Sequence, residues 1–389
     1  MANGELMVVA GEASGDLHAA DVLAELRRRR PDLRAFGMGG PGLQAAGLER
    51  LFDAREISVM GIAEVLPRLP RIWRVFRALV RAARDREPAA ALLVDVPDFN
   101  LRLARKLRRL GVPVVFYVSP TVWAWRPGRV RQIARDVDRM LCILPFEEEF
   151  YRGHGVRARY VGNPVVEQVP PPAAPEGFRR ALGLDVDRTT LALLPGSRPS
   201  ELKRLLPPMV DTAALLQRER PELQLVVPVA PGLERAPVER AFAARGLHPL
   251  LIEGRAAEAV GAADVVVVAS GTAVLETALM LRPMVVVYRI SALSWAVGKL
   301  LVKVAFVSLV NLLSGRRLVP ELLQGALRPE AVADEVRRLW EPGPERDAQL
   351  AGLHAVRARL GHAPTAALVA EEVLEVLEAR GKDAGALRR

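Results

Sequence analysis

The 389-residue chain contains one cysteine, Cys142. That excludes a disulfide framework and a cysteine-built zinc site, and points to a reducing compartment. Histidine is nearly as scarce. The five present, at positions 18, 154, 248, 354 and 362, show no metal-ligand spacing, so neither a metal nor a cofactor is expected. Aromatic residues are few, at 5%, and no nucleic-acid-binding motif occurs, which argues against a nucleic-acid partner. No secretory leader is expected, since Met1–Glu5 runs directly into a strand-like Leu6–Ala10. A long uninterrupted apolar run is also missing. Pro283–Leu313 comes nearest, but Arg289, Lys299 and Lys303 break it before the roughly 18 residues that a membrane span needs.

What is present describes a globular chain long enough for two domains, 50% apolar and 26% charged. The net charge of +10 is uneven. Residues 1–165 hold 27 Lys and Arg against 19 Asp and Glu, a net of +8. A basic half suits an anionic membrane surface or a phosphorylated ligand as readily as nucleic acid, so charge alone decides little.

The pattern along the chain is repeated α/β. Short Val/Leu runs near Leu6–Ala10, Ala91–Val94, Val114–Tyr117 and Met140–Leu144 alternate with helix-like stretches such as Leu17–Arg29 and Leu101–Leu110. Such runs indicate a parallel sheet covered on both faces. A Pro-rich connector, Asn163–Gly177, interrupts the pattern. It restarts at Thr190–Leu194, Gln224–Pro228, Pro249–Ile252, Val265–Ala269 and Met284–Tyr288. The expected fold is therefore two Rossmann-like, doubly wound parallel-sheet domains facing a central cleft. Residues 1–165 form the first, residues 166–345 the second, and 346–389 a helical tail. Ligands in such sheets bind outside the carboxyl ends of the strands.

Two strand–turn–helix mouths in the second half carry the chemistry. In DVVVVASGTAVLE (Asp264–Glu276) an apolar strand meets Ser270-Gly271-Thr272 at a helix start. The unpaired N–H groups and positive dipole end there suit a phosphate. Glu276 lies about one turn further on, placed to accept hydrogen bonds from the two hydroxyls of a ribose. LALLPGSRPSEL (Leu191–Leu202) repeats the grammar with Arg198 at its mouth, and a guanidinium donates in parallel to two phosphate oxygens. Either turn could instead be an ordinary capped corner, with Ser270, Ser197 or Ser200 as the cap and Glu201 in the first turn.

The corresponding loops of the first half are acidic. GEASGDLHAA (Gly11–Ala20) brings Glu12, Ser14 and Asp16 to a helix start, and VDVPDFN (Val94–Asn100) brings Asp95, Asp98 and Asn100 to a strand end. Such groups disfavour a second phosphate pocket and suit hydroxyl binding or proton transfer. From spacing alone, Asp98 or Asn100 is equally a helix cap. YVSPTVWAWRPGRV (Tyr117–Val130) adds Trp123 and Trp125 beside Arg126 and Arg129, as a packed lid or an apolar ligand wall.

Several blocks together carry a resemblance to a known family: GEASGD (Gly11–Asp16), GMGGPGLQAAG (Gly37–Gly47), VDVPDFN, VSPTVWAWRPGRV (Val118–Val130), LPGSR (Leu194–Arg198), SGTAVLE (Ser270–Glu276), and SLVNLL and PELLQ within Pro283–Gln324. They are collinear from residue 11 to about 324 and resemble lipid-A-disaccharide synthase. The resemblance implies a GT-B glycosyltransferase that inverts without a metal. It would join UDP-2,3-diacylglucosamine to 2,3-diacylglucosamine 1-phosphate, releasing UDP and a β(1′→6) disaccharide 1-phosphate. One departure stands at Gly162–Pro164, where the family commonly has a histidine and this chain has Asn163.

On that reading Asp98 is the expected base, with Glu12 or Asp16 as alternatives, and Ser14 and Asn100 position hydroxyls. Arg198 and the turns at Ser197 and Ser270–Thr272 stabilise the leaving diphosphate, and Glu276 holds the ribose. Asn311 and Gln324, from the SLVNL and PELLQ blocks, are expected to face the cleft. Acylated substrates imply membrane contact. Gly61–Arg84 sets Leu69, Ile72, Trp73, Phe76, Leu79 and Val80 along one helical face flanked by arginines, as in a helix lying on an anionic bilayer. The expected location is the cytoplasmic face of the inner membrane, as a peripheral protein. The tail would pack back on the first domain or exchange within a homodimer. UDP-sugar 2-epimerases and non-catalytic sugar-nucleotide modules remain as other readings, which the amphipathic helix and the Trp loop disfavour.

Overall fold

The computed structural model describes residues 4–56, 62–125, 127–291, 295 and 305–386. Arg126, Lys299 and Lys303 lie outside them, as does the side chain of Trp125. The chain divides into two compact units. Residues 1–164 with 362–389 form one, and residues 165–361 form the other.

The first unit is built on a seven-stranded sheet. Its strands are β1 (Glu5–Ala10), β2 (Arg34–Gly39), β3 (Glu49–Asp53), β4 (Ala90–Val94), β5 (Val114–Tyr117), β6 (Arg139–Cys142) and β7 (Ala158–Tyr160). The spatial order is β3-β2-β1-β4-β5-β6-β7, and every pairing is parallel. Leu6–Ala10 and Ala90–Val94 are wholly buried, as strands covered on both faces must be. One face is covered by helices Ile62–Arg86 and Pro97–Arg109, which contribute Val75, Phe76, Leu79, Phe99, Leu103 and Leu107 to the core. The other is covered by helix Ala13–Arg29 and the last helix, Thr365–Ala386, with Val22, Leu23 and Leu26 packed among Val369, Val373 and Leu377. Glu372 of that last helix also reaches Arg159 at 2.7 Å and Arg139 at 3.3 Å.

The second unit has six parallel strands: β8 (Thr190–Leu194), β9 (Gln224–Val229), β10 (Leu250–Glu253), β11 (Val265–Ala269), β12 (Met284–Tyr288) and β13 (Glu321–Leu323), ordered β10-β9-β8-β11-β12-β13. Both sheets thus run outward for three strands and then reverse. The reversal falls between β1 and β4 in the first unit and between β8 and β11 in the second.

The structure differs from the sequence expectation in three places. β2, β3, β7 and β13 carry Gly, Arg or Glu in short segments, so no continuous apolar run marks them. Two helices begin within the Pro-rich connector, Pro164–Gln168 and Pro175–Leu182, each on a proline. Proline at the first helical position loses only an N–H that has no partner there anyway. Arg282 donates to the carbonyls of Ala173 and Gly261, fastening the connector to the second unit. Finally, the stretch beyond residue 345 is not one body. Helix Pro344–Leu360 belongs to the second unit, and only Thr365–Ala386 joins the first.

Candidate active site

At the reversal point of the second sheet lies a cavity of 330 Å³. Its walls are the turns that follow β8, β9, β10 and β11. After β8 the chain turns through Gly196, at φ +110°, into a helix beginning at Pro199. Glu201 accepts from the Ser197 N–H at 3.0 Å and from the Arg198 guanidinium at 3.0 Å, so it both caps the turn and orients the arginine. A side chain at Gly196 would collide with Glu201, its Cβ falling 2.7 Å from the Glu201 Cβ.

After β11, helix Thr272–Leu279 starts at the cavity wall with Gly271 as its N-cap. Gly271 is extended, at φ 163°, and a Cβ added there would meet nothing within 4 Å. This glycine neither relieves strain nor avoids a neighbour. It leaves the first N–H groups of the helix open to an approaching group, as anion sites at helix starts require. Glu276 lines the same cavity, and burial pushes its carboxyl above the usual range. The second unit therefore brings together Arg198, Ser270, Gly271, Thr272 and Glu276.

At the matching position of the first sheet the chemistry is acidic. Asp95 follows β4 and Glu12 follows β1. Burial, with the charge of Glu12 adding to it, pushes the Asp95 carboxyl up to about 6. The backbone here is strained. Asp95, Val96 and, beside them after β5, Val118 all sit in the left-handed region, at φ +55°, +41° and +64°. A non-glycine residue held there costs roughly 1–3 kcal/mol, and such strain gathers at functional sites. Asn100 fixes the turn by donating its amide to the carbonyls of Val94 (3.0 Å) and Asp95 (2.8 Å). The start of helix Ala13–Arg29 abuts the same point: a Cβ at Gly15 would lie 3.7 Å from that of Asp95.

Residues 6–360 match the family model described as lipid-A-disaccharide synthetase. The chain belongs to the lipid-A-disaccharide synthase family. It is 62% identical over 372 residues to the lipid-A-disaccharide synthase of Myxococcus xanthus (strain DK1622), covering 96% of this chain and 97% of that one. To the enzyme of the same name from Pseudomonas aeruginosa (strain LESB58) it is 42% identical over 382 residues, covering 98% of this chain and 100% of the other. Solved structures of the same fold include the calicheamicin glycosyltransferase, at TM-score 0.60, 16% identity and coverage of 96% and 98%. A UDP-GlcNAc 2-epimerase from Neisseria meningitidis bound to UDP-GlcNAc matches at TM-score 0.55, 12% identity and coverage of 96% and 100%. At those identities the likeness extends to the GT-B fold and no further. The family is one of glycosyltransferases, and this chain is an enzyme of that class.

Within this family member, several residues expected at the site do structural work instead. Asp16 is buried and accepts from three backbone N–H groups, those of Gly40 (2.6 Å), Gly42 (2.8 Å) and Leu43 (3.1 Å). Both of its oxygens hold the GGPGL turn, so it is no free base. Gly40 and Gly42 are glycines because a Cβ at either would sit within 2.9 Å of Asp16 Oδ2. Asn100 is 1% exposed and braces the Asp95 turn rather than reaching a hydroxyl. Asn311 is fully buried. Its amide donates to Val319 O and Glu321, and its oxygen accepts from Leu318 N and Val319 N, which leaves nothing for a substrate. The amide of Gln324 pairs with both backbone groups of Ile290, at 3.0 and 3.2 Å. Asn163 is buried too and donates to Ile143 O at 3.0 Å.

Asp98 and Ser14 are exposed. Asp98 lies in the first turn of helix Pro97–Arg109 and pairs with Arg129 at 2.5 Å, out in solvent, whereas Asp95 is desolvated by burial. On helix Ile62–Arg86 the expected apolar face divides. Phe76 is buried in the core, stacked edge-on between Trp73 (5.7 Å) and Phe99 (5.6 Å), and Ile72 packs against the same core. Leu69 and Trp73 remain exposed, at 37% and 51%. No described helix is long and apolar enough to cross a membrane.

One buried carboxylate had no signal in the sequence. Glu147 follows Pro145 at a helix start and reads there as an ordinary first-turn acid. It is 1% exposed, and burial pushes its carboxyl up to about 7 despite donors from Ser119, Trp123 and Leu144.

Proposed function

We propose that the chain transfers the diacylglucosamine unit of UDP-2,3-diacylglucosamine to the 6-hydroxyl of 2,3-diacylglucosamine 1-phosphate, with inversion, giving the β(1′→6) disaccharide 1-phosphate and UDP. The observation that carries this is the second-unit cavity. It combines a guanidinium, two helix starts and a half-buried carboxylate within one space. The diphosphate is met by Arg198 and the N–H groups at Gly271–Thr272, and the ribose hydroxyls donate to Glu276. As the sugar–phosphate bond breaks, charge builds on the diphosphate where these donors already point, so no reorganisation is required. The proton of the attacking hydroxyl passes to a carboxylate of the first unit. Asp95 fits that role better than Asp98 or Asp16, because it is ionised at neutral pH yet basic enough to accept a proton. Burial, with the charge of Glu12 adding to it, keeps that carboxyl raised, and Ser14 is exposed at the start of helix Ala13–Arg29 to position hydroxyls.

The acylated substrates would be met at an anionic membrane surface on the cytoplasmic side. Trp73 and Leu69 present exposed apolar area on a helix whose Arg71, Arg74, Arg77, Arg81 and Arg84 are also exposed. Tryptophan flanked by arginine is a combination that favours the interface.

The test is direct. The two diacylated substrates are incubated with purified protein without added metal, and UDP and disaccharide are followed by mass spectrometry. Equal amounts of both products support the transferase. Unconsumed donor, with UDP-N-acetylglucosamine epimerised instead, overturns it.

A further inference from the structure

The loop after β5 is held from beneath by one short helix. Ser119–Pro120 leads from the strained Val118 into the helical turn Val122–Trp125. Under it runs helix Pro145–Arg152, which directs two buried side chains at that loop. Glu147 Oε2 accepts from the Ser119 hydroxyl at 2.6 Å and from the Leu144 N–H at 3.1 Å, while Oε1 accepts from the Trp123 indole N–H at 3.0 Å. One turn later the Tyr151 hydroxyl donates to the Pro120 carbonyl at 2.6 Å.

Capping its own helix would require only the Leu144 bond. A neutral serine or glutamine would serve for that without the cost of burying a carboxylate. Two acceptor oxygens, each facing a donor of the loop, are needed only if the loop must be fixed. No glutamine can copy the arrangement, since its NH2 would face the Leu144 N–H at one end or the Trp123 indole N–H at the other, and both of those groups only donate.

The loop that is fixed lies beside the acidic edge. Asp95 donates its N–H to Tyr117 O at 3.0 Å, at the last residue of β5. At the far end of the loop Arg129 pairs with Asp98. Trp123 itself is half-buried and stacks edge-on against Phe146 at 4.9 Å, so its ring has one defined orientation.

We propose that Glu147 and Tyr151 are positioning residues that hold the Ser119–Trp123 loop as a fixed wall of the acceptor subsite beside Asp95. The proposal rests on the acceptor assignment of this edge made above. Its test uses Glu147→Gln, Trp123→Phe, the double variant and Tyr151→Phe in the full chain. Acceptor KM, kcat and the calorimetric Kd for UDP are measured for each. Glu147→Gln and Trp123→Phe should each raise acceptor KM by about tenfold, the factor that one lost hydrogen bond to a charged group supplies. UDP affinity should stay within about twofold, and the double variant should be no worse than either single one, as for residues acting through one bond. Tyr151→Phe removes a single hydroxyl and should move acceptor KM the same way, which keeps the test open if Glu147→Gln fails to fold. Folded variants with unchanged acceptor KM beside an active wild type overturn this inference alone. Equal losses in acceptor KM and UDP affinity overturn it as well, by showing a general structural role. A wild type inactive on both substrates overturns the transferase reading and this inference together.

Discussion

The two sheets share a strand order through their first six strands, yet their reversal points carry opposite chemistry. Between β8 and β11 the chain presents Arg198, two helix starts and a glycine that crowds nothing. Between β1 and β4 it presents Glu12 and Asp95, on a backbone strained at Asp95 and Val96. The topology fixes where a ligand can reach the strand ends, and a handful of turn residues decides which ligand. On the proposed reading, the former site receives negative charge and the latter a proton.

The comparison breaks most sharply at the base. Asp95→Asn should lower kcat by about 10²–10⁴, the usual contribution of a positioned base, while leaving UDP affinity unchanged. Asp98→Asn loses only an exposed ion pair, worth about 0–1 kcal/mol, and should retain most activity. A reversed ranking would return the base to Asp98. The pH profile gives a second reading. Activity that needs ionised Asp95 should fall about tenfold per pH unit below its apparent value near 6.

The acidic unit should also carry a stability cost at Glu147. The Glu147 carboxyl is raised from 4.5 to about 7. Below pH 4.5 it is protonated in both folded and unfolded chains and contributes nothing. As pH rises from there to about 7, the unfolded chain ionises first and stability is lost. The full loss above pH 7 is on the order of 3 kcal/mol. Glu147→Gln stays neutral throughout, so thermal melts at pH 4.5, 6 and 7.5 should show the variant gaining on wild type as pH rises. A constant gap would mean that Glu147 does not titrate in this range.

Much of this was legible in the residues, and what was not has physical reasons. Buried parallel strands advertise themselves as apolar runs, so β1, β4, β5, β8, β11 and β12 were readable, whereas β3 and β13, with their charged residues, were not. The two turns that line the second-unit cavity were readable because glycine and hydroxyl residues cluster at a strand-to-helix junction. Which carboxylate is buried was not readable, because burial depends on neighbours distant in sequence. Asp16 is claimed by the turn at Gly40–Leu43, and Asn311 by Leu318–Glu321. Glu147 answers donors up to 28 residues away. The same limit split the helix Ile62–Arg86: periodicity found its apolar face, but only Phe99 shows that Phe76 is spent on the core.

In the basic site the largest effect should come from Arg198→Ala. Loss of one donor to a developing charge typically costs about 10²–10³ in kcat, and the same guanidinium contributes to UDP binding, so both should fall. That pairing separates it from Asp95→Asn, which spares UDP. If Arg198→Ala left UDP affinity intact, the arginine would be serving only to close the turn with Glu201.

The smallest change proposed is one methyl group at Gly271. Backbone strain does not require glycine there, since φ is extended, and neither does packing, since a Cβ would meet nothing within 4 Å. Gly271→Ala should therefore leave thermal stability within about 0.5 kcal/mol of wild type, as for a surface substitution away from special features. What the methyl does occupy is the space in front of the first helical N–H groups, where a diphosphate would make its closest approach. UDP affinity should fall by about tenfold, the scale of a hydrogen bond to a charged group lost or lengthened. Calorimetric titration with UDP, beside a thermal melt of the same sample, reads both quantities. Unchanged affinity would place the diphosphate on the Arg198 turn alone, and a large loss of stability would make Gly271 a residue of the fold rather than of the site.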